Sequence, residues 1–212
     1  MPQKAATSKE FTDFFRTLLP VLTDEDLELL NAVYPDPVTN SSSKHKETRK
    51  GLGLGAQFRR LEQAYGQFAY ICPVKHTAHF VAQSNTNVYL YHFAAQSNVK
   101  GGAIHGGQAP FVTHNKDIRD VSKTADEISG LMHAYWTSFI VSGDPNAVDG
   151  RYGDRPEWPS YVAGRRKLVV FGEGNDEVAG GGNKGTAVRV KDDDWAVEEC
   201  RYWWDRTEKF EV

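Results

Sequence analysis

A β-branched, aromatic run bounded by polar residues, Val88-Tyr89-Leu90-Tyr91-His92-Phe93-Ala94, leads through a glycine-rich loop into a strongly amphipathic segment. These three pieces dictate most of what the chain can become. The run has the composition of a strand. The loop is Lys100 to Gly107. Beyond it, Thr124 and Glu127 form a capping-box signature. Ile128, Leu131, Met132, Tyr135, Trp136, Phe139 and Ile140 then recur at helical spacing as far as Gly143 and Pro145. A helix so apolar on one face has to bury it, and a sheet containing the preceding strand is the natural partner. Lys167 to Phe171 predicts a second strand and Ala187 to Lys191 a weaker third, separated by a loose stretch from Gly172 to Gly185. The expected class is α/β, with few strands and flanking helices.

The flanks read as helices. Thr7 with Glu10 opens one through Phe11, Phe14, Phe15, Leu18 and Leu19, stopped by Pro20. Thr23 with Asp26 opens a second through Leu27, Leu29, Leu30 and Val33, ended by Pro35-Asp36-Pro37, so the two form an antiparallel pair. Residues 38 to 55 are polar and punctuated by glycine, a surface loop in which Asn40-Ser41-Ser42 is a glycosylation acceptor if the protein is secreted. A helical pattern runs from Ala56 to Gly66 and another starts at Cys72-Pro73, with Val74, Ala78 and Val81 toward the core. The aromatic tail, Trp195 to Phe210, reads as helical.

Several function classes are disfavoured. With 25 Lys and Arg scattered among 28 Asp and Glu, no basic stripe could neutralise a nucleic-acid backbone. No apolar run reaches the roughly 18 residues of a membrane span. Met1-Pro2-Gln3-Lys4 lacks the apolar stretch of a secretory signal, so read literally the chain is not exported. Cys72 and Cys200 stand far from any Cys/His cluster of zinc-site spacing, and by spacing alone each is a buried free thiol. Gly51-Leu52-Gly53-Leu54-Gly55 lacks the dinucleotide-binding spacing, and Gly180 to Gly185 lacks that of a phosphate loop. Asp192-Asp193-Asp194 reads as a solvated run or helix cap. No cofactor is implied.

One order of motifs is specific. The strand is followed by Ile104-His105-Gly106, then by His133-Ala134-Tyr135-Trp136-Thr137-Ser138-Phe139 closing on Gly143-Asp144-Pro145-Asn146, then by Trp158-Pro159 and the Lys167 strand. Together with Leu19-Pro20, Tyr34-Pro35, Cys72-Pro73 and Cys200-Arg201-Tyr202-Trp203, this resembles the type-B carboxylesterase/lipase family, which includes the cholinesterases. The resemblance covers essentially residues 1–212 and implies a partial α/β-hydrolase domain, the C-terminal portion only. In that family the histidine of a His-Gly pair after the last parallel strand is the general base of a catalytic triad, which implies His105 here. It also implies a disulfide between Cys72 and Cys200. Such a bond requires an oxidising compartment, at odds with the absent signal unless the parent protein carries a further N-terminal part.

The resemblance also defines what is missing. Pro2-Gln3 matches a stretch that in relatives lies just past the catalytic acid, so the acid and, further upstream, the serine are expected to precede Met1. None of the serines present has the G-x-S-x-G context that exposes a nucleophile on a strained turn. Relatives often carry an acid three residues after the histidine, whereas Gln108 stands there.

The chemistry explains why such a base is needed. A serine hydroxyl attacks an ester only when a base removes its proton, and imidazole both accepts that proton and returns it to the leaving alkoxide. A carboxylate must orient the ring and backbone N–H groups must receive the oxyanion. Without the family pattern, one histidine in a glycine-rich loop is more often a solvated loop residue. His92 in the strand, and His76, His79 and His133 on helices, suit packing or surface roles, and His114 has no assigned role.

Three functions follow as expectations. The chain is a fragment of a carboxylic ester hydrolase, inactive alone and dependent on the missing part, whose parent acts on a small-molecule ester. Alternatively it is a non-catalytic binding or adhesion protein that kept the esterase surface. In a third reading, a separate chain supplies the serine and acid.

Overall fold

The computed structural model describes residues 1–84, 86–99, 101–162 and 164–210. Its helices are α1 (Ser8–Leu18), α2 (Asp24–Val33), α3 (Phe58–Gly66), α4 (Cys72–Val81), α5 (Ala109–Val112), α6 (Lys116–Arg119), α7 (Lys123–Ser142) and α8 (Val197–Trp204), and its strands are β1 (Tyr91–Phe93), β2 (Lys167–Glu173) and β3 (Thr186–Asp192). They form two compact units, Met1–Thr77 with Asp194–Val212, and Ala78–Asp193.

The first unit is helical. Both expected capping boxes are present. In α1 Glu10 N–H donates to Thr7 Oγ1 and Thr7 N–H to Glu10 Oε2. In α2 Asp26 and Thr23 make the same exchange. Each box satisfies backbone donors that a helix start leaves orphaned. Phe11 and Phe15 of α1, Leu27 and Leu30 of α2, and Tyr34 then close one core with Tyr202 and Trp203 of α8. Leu18 and Leu29, read as part of the apolar stripes, are instead exposed. Arg60, fully buried in α3, stacks over the Phe11 ring at 3.7 Å. It donates to Tyr34 O (2.6 Å), Asn31 Oδ1 (2.8 Å), Gln57 Oε1 and Ser8 Oγ, so its charge is held by these hydrogen bonds together with the nearby charge of Asp36.

The two helical patterns around Gly66 and Cys72 are joined. Residues Gln67–Ile71 form a π-helical segment that carries α3 into α4 without a break. Pro73 offers no N–H and its ring crowds the preceding turn, and the wider π turn accommodates both effects. Cys72 and Cys200, both buried, form a disulfide with Cα atoms 5.0 Å apart. That link turns the Cys72 and Lys75 face of α4 inward, so Val74 and Val81, expected in the core, are exposed, while Ala78 is buried as expected.

The second unit holds the sheet, ordered β1-β2-β3, with β1 parallel and β3 antiparallel to β2. The β1 ladder covers only part of the Val88 to Ala94 run, because at its start the chain pairs with the segment around Tyr161 instead of with β2. Val88 O accepts from Tyr161 N–H, and Leu90 O accepts from Val169 N–H and from the Trp158 indole N–H at 3.1 Å. Helix α7 packs Ile128, Met132 and Tyr135 against Val169, Phe171 and Trp158. Its cap is Ser122 rather than Thr124, with Ala125 N–H donating to Ser122 Oγ at 2.9 Å, and Gly143 ends it in the left-handed conformation. Phe139 and Ile140, expected in the core, are exposed, as is Val141. Twenty helical residues span about 30 Å. Seven strand residues span only about 23 Å, so α7 is longer than the strands it packs on.

The stretch after Phe171 is not loose. Strand β2 runs on through Gly172 to Glu173, and the turn into β3 is closed by Asp176, whose carboxylate accepts from Asn183 N–H at 2.7 Å and from its side-chain amide. Within the Asp192 to Asp194 run, Asp193 is buried and its N–H donates to Arg166 O at 2.8 Å. The solvated reading therefore holds only for its two neighbours.

Candidate active site around His105

His105 lies in the loop that leaves the C-terminal end of β1, the end at which ligands gather in open α/β sheets. The loop is tied down at its start. Ala94 N–H donates to Phe171 O at 2.8 Å and Gln96 N–H to Asn175 O at 2.7 Å. Asn175 is itself buried and donates to Glu177 Oε2 and Lys184 O, and Ser122 Oγ donates to the same Glu177 oxygen. The cap of α7, the β2–β3 turn and the start of the histidine loop thus share one hydrogen-bonded frame.

Ser97 acts as the hub of the loop. Its N–H donates to Gly102 O, and its hydroxyl accepts from Ile104 N–H at 3.3 Å. A Cβ on Gly107 would lie 2.7 Å from that hydroxyl, so a larger residue there would have to displace the Ser97 side chain. Gly106, at φ +78°, turns the chain in a conformation open to glycine at no steric cost. Then α5 begins, and its fully buried Phe111 packs on Phe93 of β1 with ring centroids 5.0 Å apart. Between these anchors Ile104, His105 and Gly106 are exposed, so the imidazole is accessible from solvent.

Gln108, where relatives often have an acid, hydrogen-bonds the Tyr91 phenol, whose pKa burial raises and this bond partly offsets. The residue fastens the loop to β1, a role the sequence did not signal. Nor did the sequence signal Ser97 or Asn175, because the bonds each makes depend on how the loop folds back on itself and on β2, which no residue pattern announces.

A second histidine cluster has the residue types of a triad without its geometry. His114 Nδ1 lies 3.0 Å from Ser129 Oγ, and His114 Nε2 lies 3.8 Å from Asp126 Oδ1. Ser129 is fully buried and its hydroxyl donates to Phe111 O at 2.9 Å, so the Nδ1–H of His114 must donate to Ser129. A hydroxyl already giving its proton to a carbonyl, facing a ring nitrogen that carries a hydrogen, cannot be activated for attack. Desolvation, then the charge of Arg119, hold the His114 pKa below its usual value. His114 is a strut between α5 and α7. It stacks at 5.7 Å on His133, whose Nδ1 donates to Val112 O, and both line a cavity of about 330 Å³ with Tyr152 and Arg151.

The remaining histidines take packing or surface roles, His76 against the Trp204 ring and His79 beside Gln83. Among the described residues no group of three His, Cys, Asp or Glu side chains could hold a metal, and no helix is long and apolar enough to cross a membrane.

A model of the carboxylesterase family matches residues 6–188, which takes in both capping boxes, the His105 loop and α7. The chain belongs to the carboxylesterase family. Secreted lipase 4 of Gibberella zeae is 28% identical over 207 residues, 96% of this chain and 33% of that protein. Acetylcholinesterase of Bungarus fasciatus is 30% identical over 116 residues, 51% of this chain and 19% of that one. The crystal structure of Aspergillus niger EstA matches with a TM-score of 0.72 at 23% identity, over 98% of this chain and 37% of that one. The fold is therefore that of an α/β-hydrolase esterase, represented by a small mixed sheet of three strands with flanking helices. This carboxylesterase-family chain spans about a third of the length of the lipase and of EstA.

Proposed function

We propose that residues 1–212 are the C-terminal part of an α/β-hydrolase domain and contribute the general base, His105, to a carboxylic ester hydrolase. The nucleophilic serine and the catalytic acid stand outside these residues. The observation that carries the reading is the placement of an accessible imidazole on a braced loop at the C-terminal end of a strand paired in parallel. In the assembled site His105 takes the proton of the serine hydroxyl as it attacks the ester carbonyl. It then delivers that proton to the departing alkoxide, and water repeats the sequence on the acyl-enzyme. The substrate is a small-molecule carboxylic ester.

Two features support dependence on further chain. Strand β1 has a neighbour on one side only among the described residues, and the last turn of α7 exposes Phe139, Ile140 and Val141. Unpaired strand edges and contiguous apolar surface favour association. Export is part of the reading, on the strength of the disulfide and of a secreted relative.

The test is turnover of an activated ester by the purified chain, alone and mixed with a chain carrying the serine and acid, beside His105→Ala. The expected result is no His105-dependent turnover alone, and turnover that His105→Ala abolishes after mixing. Rapid turnover by the chain alone, with a fluorophosphonate adduct on one of its own serines, overturns the proposal.

A further inference from the structure

We infer that Asn40 is an N-glycosylation site. The inference rests on the export reading above and on a structural feature independent of His105. Of the asparagines in the sequence, Asn40 alone has a serine or threonine two positions on, and the intervening Ser41 is not proline.

The structure presents this tripeptide at the apex of a stapled loop. At the base, Gln57 Nε2 donates to Asp36 Oδ1 at 2.7 Å, the same oxygen accepts from Val38 N–H, and Ser43 Oγ donates to Pro35 O at 2.8 Å. Two backbone bonds close the turn, Asn40 N–H to Asp36 O and Ser43 N–H to Asn40 O. Ser43 and His45 are buried, whereas residues 38–42 are all exposed. The turn is thus fixed at its base and open at its tip.

The acceptor groups are unencumbered. Asn40 Oδ1 accepts from Ser42 N–H at 2.9 Å, a local turn that orients the side-chain amide outward. Among the described residues, the Asn40 amide nitrogen and the Ser42 hydroxyl make no hydrogen bond. A glycan on that nitrogen displaces no packed side chain and leaves the bonds at the base of the loop intact. In the transfer, the Asn40 Nδ2–C1 bond forms as the C1–O bond to a polyprenyl diphosphate-linked oligosaccharide breaks. The amide proton goes to a base of the transferase and the diphosphate departs, with no change of oxidation state.

The experiment takes the protein from its own host and reads two things in one sample, the thiol state of Cys72 and Cys200 and the mass of the peptide bearing Asn40 before and after peptide-N-glycosidase. The expected result is a disulfide-linked chain whose Asn40 peptide carries a glycan that the glycosidase removes, leaving Asp in place of Asn40. Asn40→Gln and Ser42→Ala each abolish the modification and Ser41→Ala keeps it. Because Ser42→Ala retains the backbone N–H that Asn40 uses, that variant separates loss of the acceptor from loss of the turn. A disulfide-linked chain with unmodified Asn40 overturns this inference alone. A reduced, unmodified chain retained in the cell overturns the export reading as well.

Discussion

The carboxylate of Asp26 and the guanidinium of Arg206, 180 positions apart in the chain, meet at 2.9 Å beneath the surface. Lys209 Nζ reaches the second carboxylate oxygen at 2.7 Å, where Thr23 also donates through its N–H and its hydroxyl. One side chain therefore completes a capping box and anchors the C-terminal segment. Burial acts to raise the Asp26 pKa. The bonds from Lys209 and Thr23, together with the charge of Arg206, outweigh it and hold the carboxyl well below the usual carboxylate range.

Replacing Asp26 by Asn should destabilise the chain by about 3 kcal/mol near neutrality, because two cations lose their buried partner. The folded pKa is lower than the unfolded value of about 3.9, so the contribution is fully present above that value and is lost as pH falls toward the folded pKa. Urea titrations of both forms should show the gap in midpoint narrowing below about pH 4. A gap that stays constant into acid would refute the assignment.

The Cys72–Cys200 bond closes a loop with a sequence separation of 128, which on the chain-entropy model stabilises the fold by roughly 5 kcal/mol. The double Cys→Ala variant and the reduced wild type should lose comparable stability in denaturant. The bond acts chiefly on the unfolded chain, so helical circular dichroism of whatever remains folded should be unchanged.

Gly172→Ala should be costly twice over. Gly172 has φ +69°, and an added Cβ would sit 2.6 Å from the Cβ of Ala95, at the root of the histidine loop. Left-handed backbone and overpacking together cost about 2–4 kcal/mol. A lowered thermal midpoint with shifted imidazole resonances of His105 is expected. An alanine variant as stable as wild type would show that β2 and the loop root do not pack this closely.

His45 supplies a pH dependence near neutrality. It is buried against Tyr34, with its Nδ1–H donating to Gln63 Oε1 and Nε2 unpartnered. Desolvation lowers its pKa, the Gln63 bond opposes this, and the charge of Lys44 adds to the lowering. The unfolded chain takes up this proton first, at about pH 6.5, so the stability is complete above that pH and declines as pH falls toward the lower folded pKa. His45→Gln, which cannot titrate, should remove part of the fall in denaturant midpoint below about pH 6.5. An identical decline in both proteins would exclude His45 as its source.

The helices were legible where local chemistry decides them. Thr7 with Glu10 and Thr23 with Asp26 announce their capping boxes because donor and acceptor lie three residues apart. Gly143 marks the end of α7 for an equally local reason. Errors arise where a distant partner decides. Ser122 rather than Thr124 caps α7, and Ser122 also bonds Glu177 across the fold. Val74 and Val81 face outward on the helix whose inward face is set by a disulfide to Cys200. At the candidate site, the strand, the glycines and His105 could be read in order along the chain. The bracing by Ser97, Gln108 and Asn175 could not.

By itself, the sequence determined most of the elements and the family, and it singled out His105 as the candidate base, because periodicity, caps and the order of motifs are properties of neighbouring residues. Only the tertiary structure decided how the His105 loop is hung on the sheet, which apolar faces are covered, and that Asp26 and Arg206 meet. Those outcomes depend on which residues far apart in the chain exclude water together, and no local pattern records that.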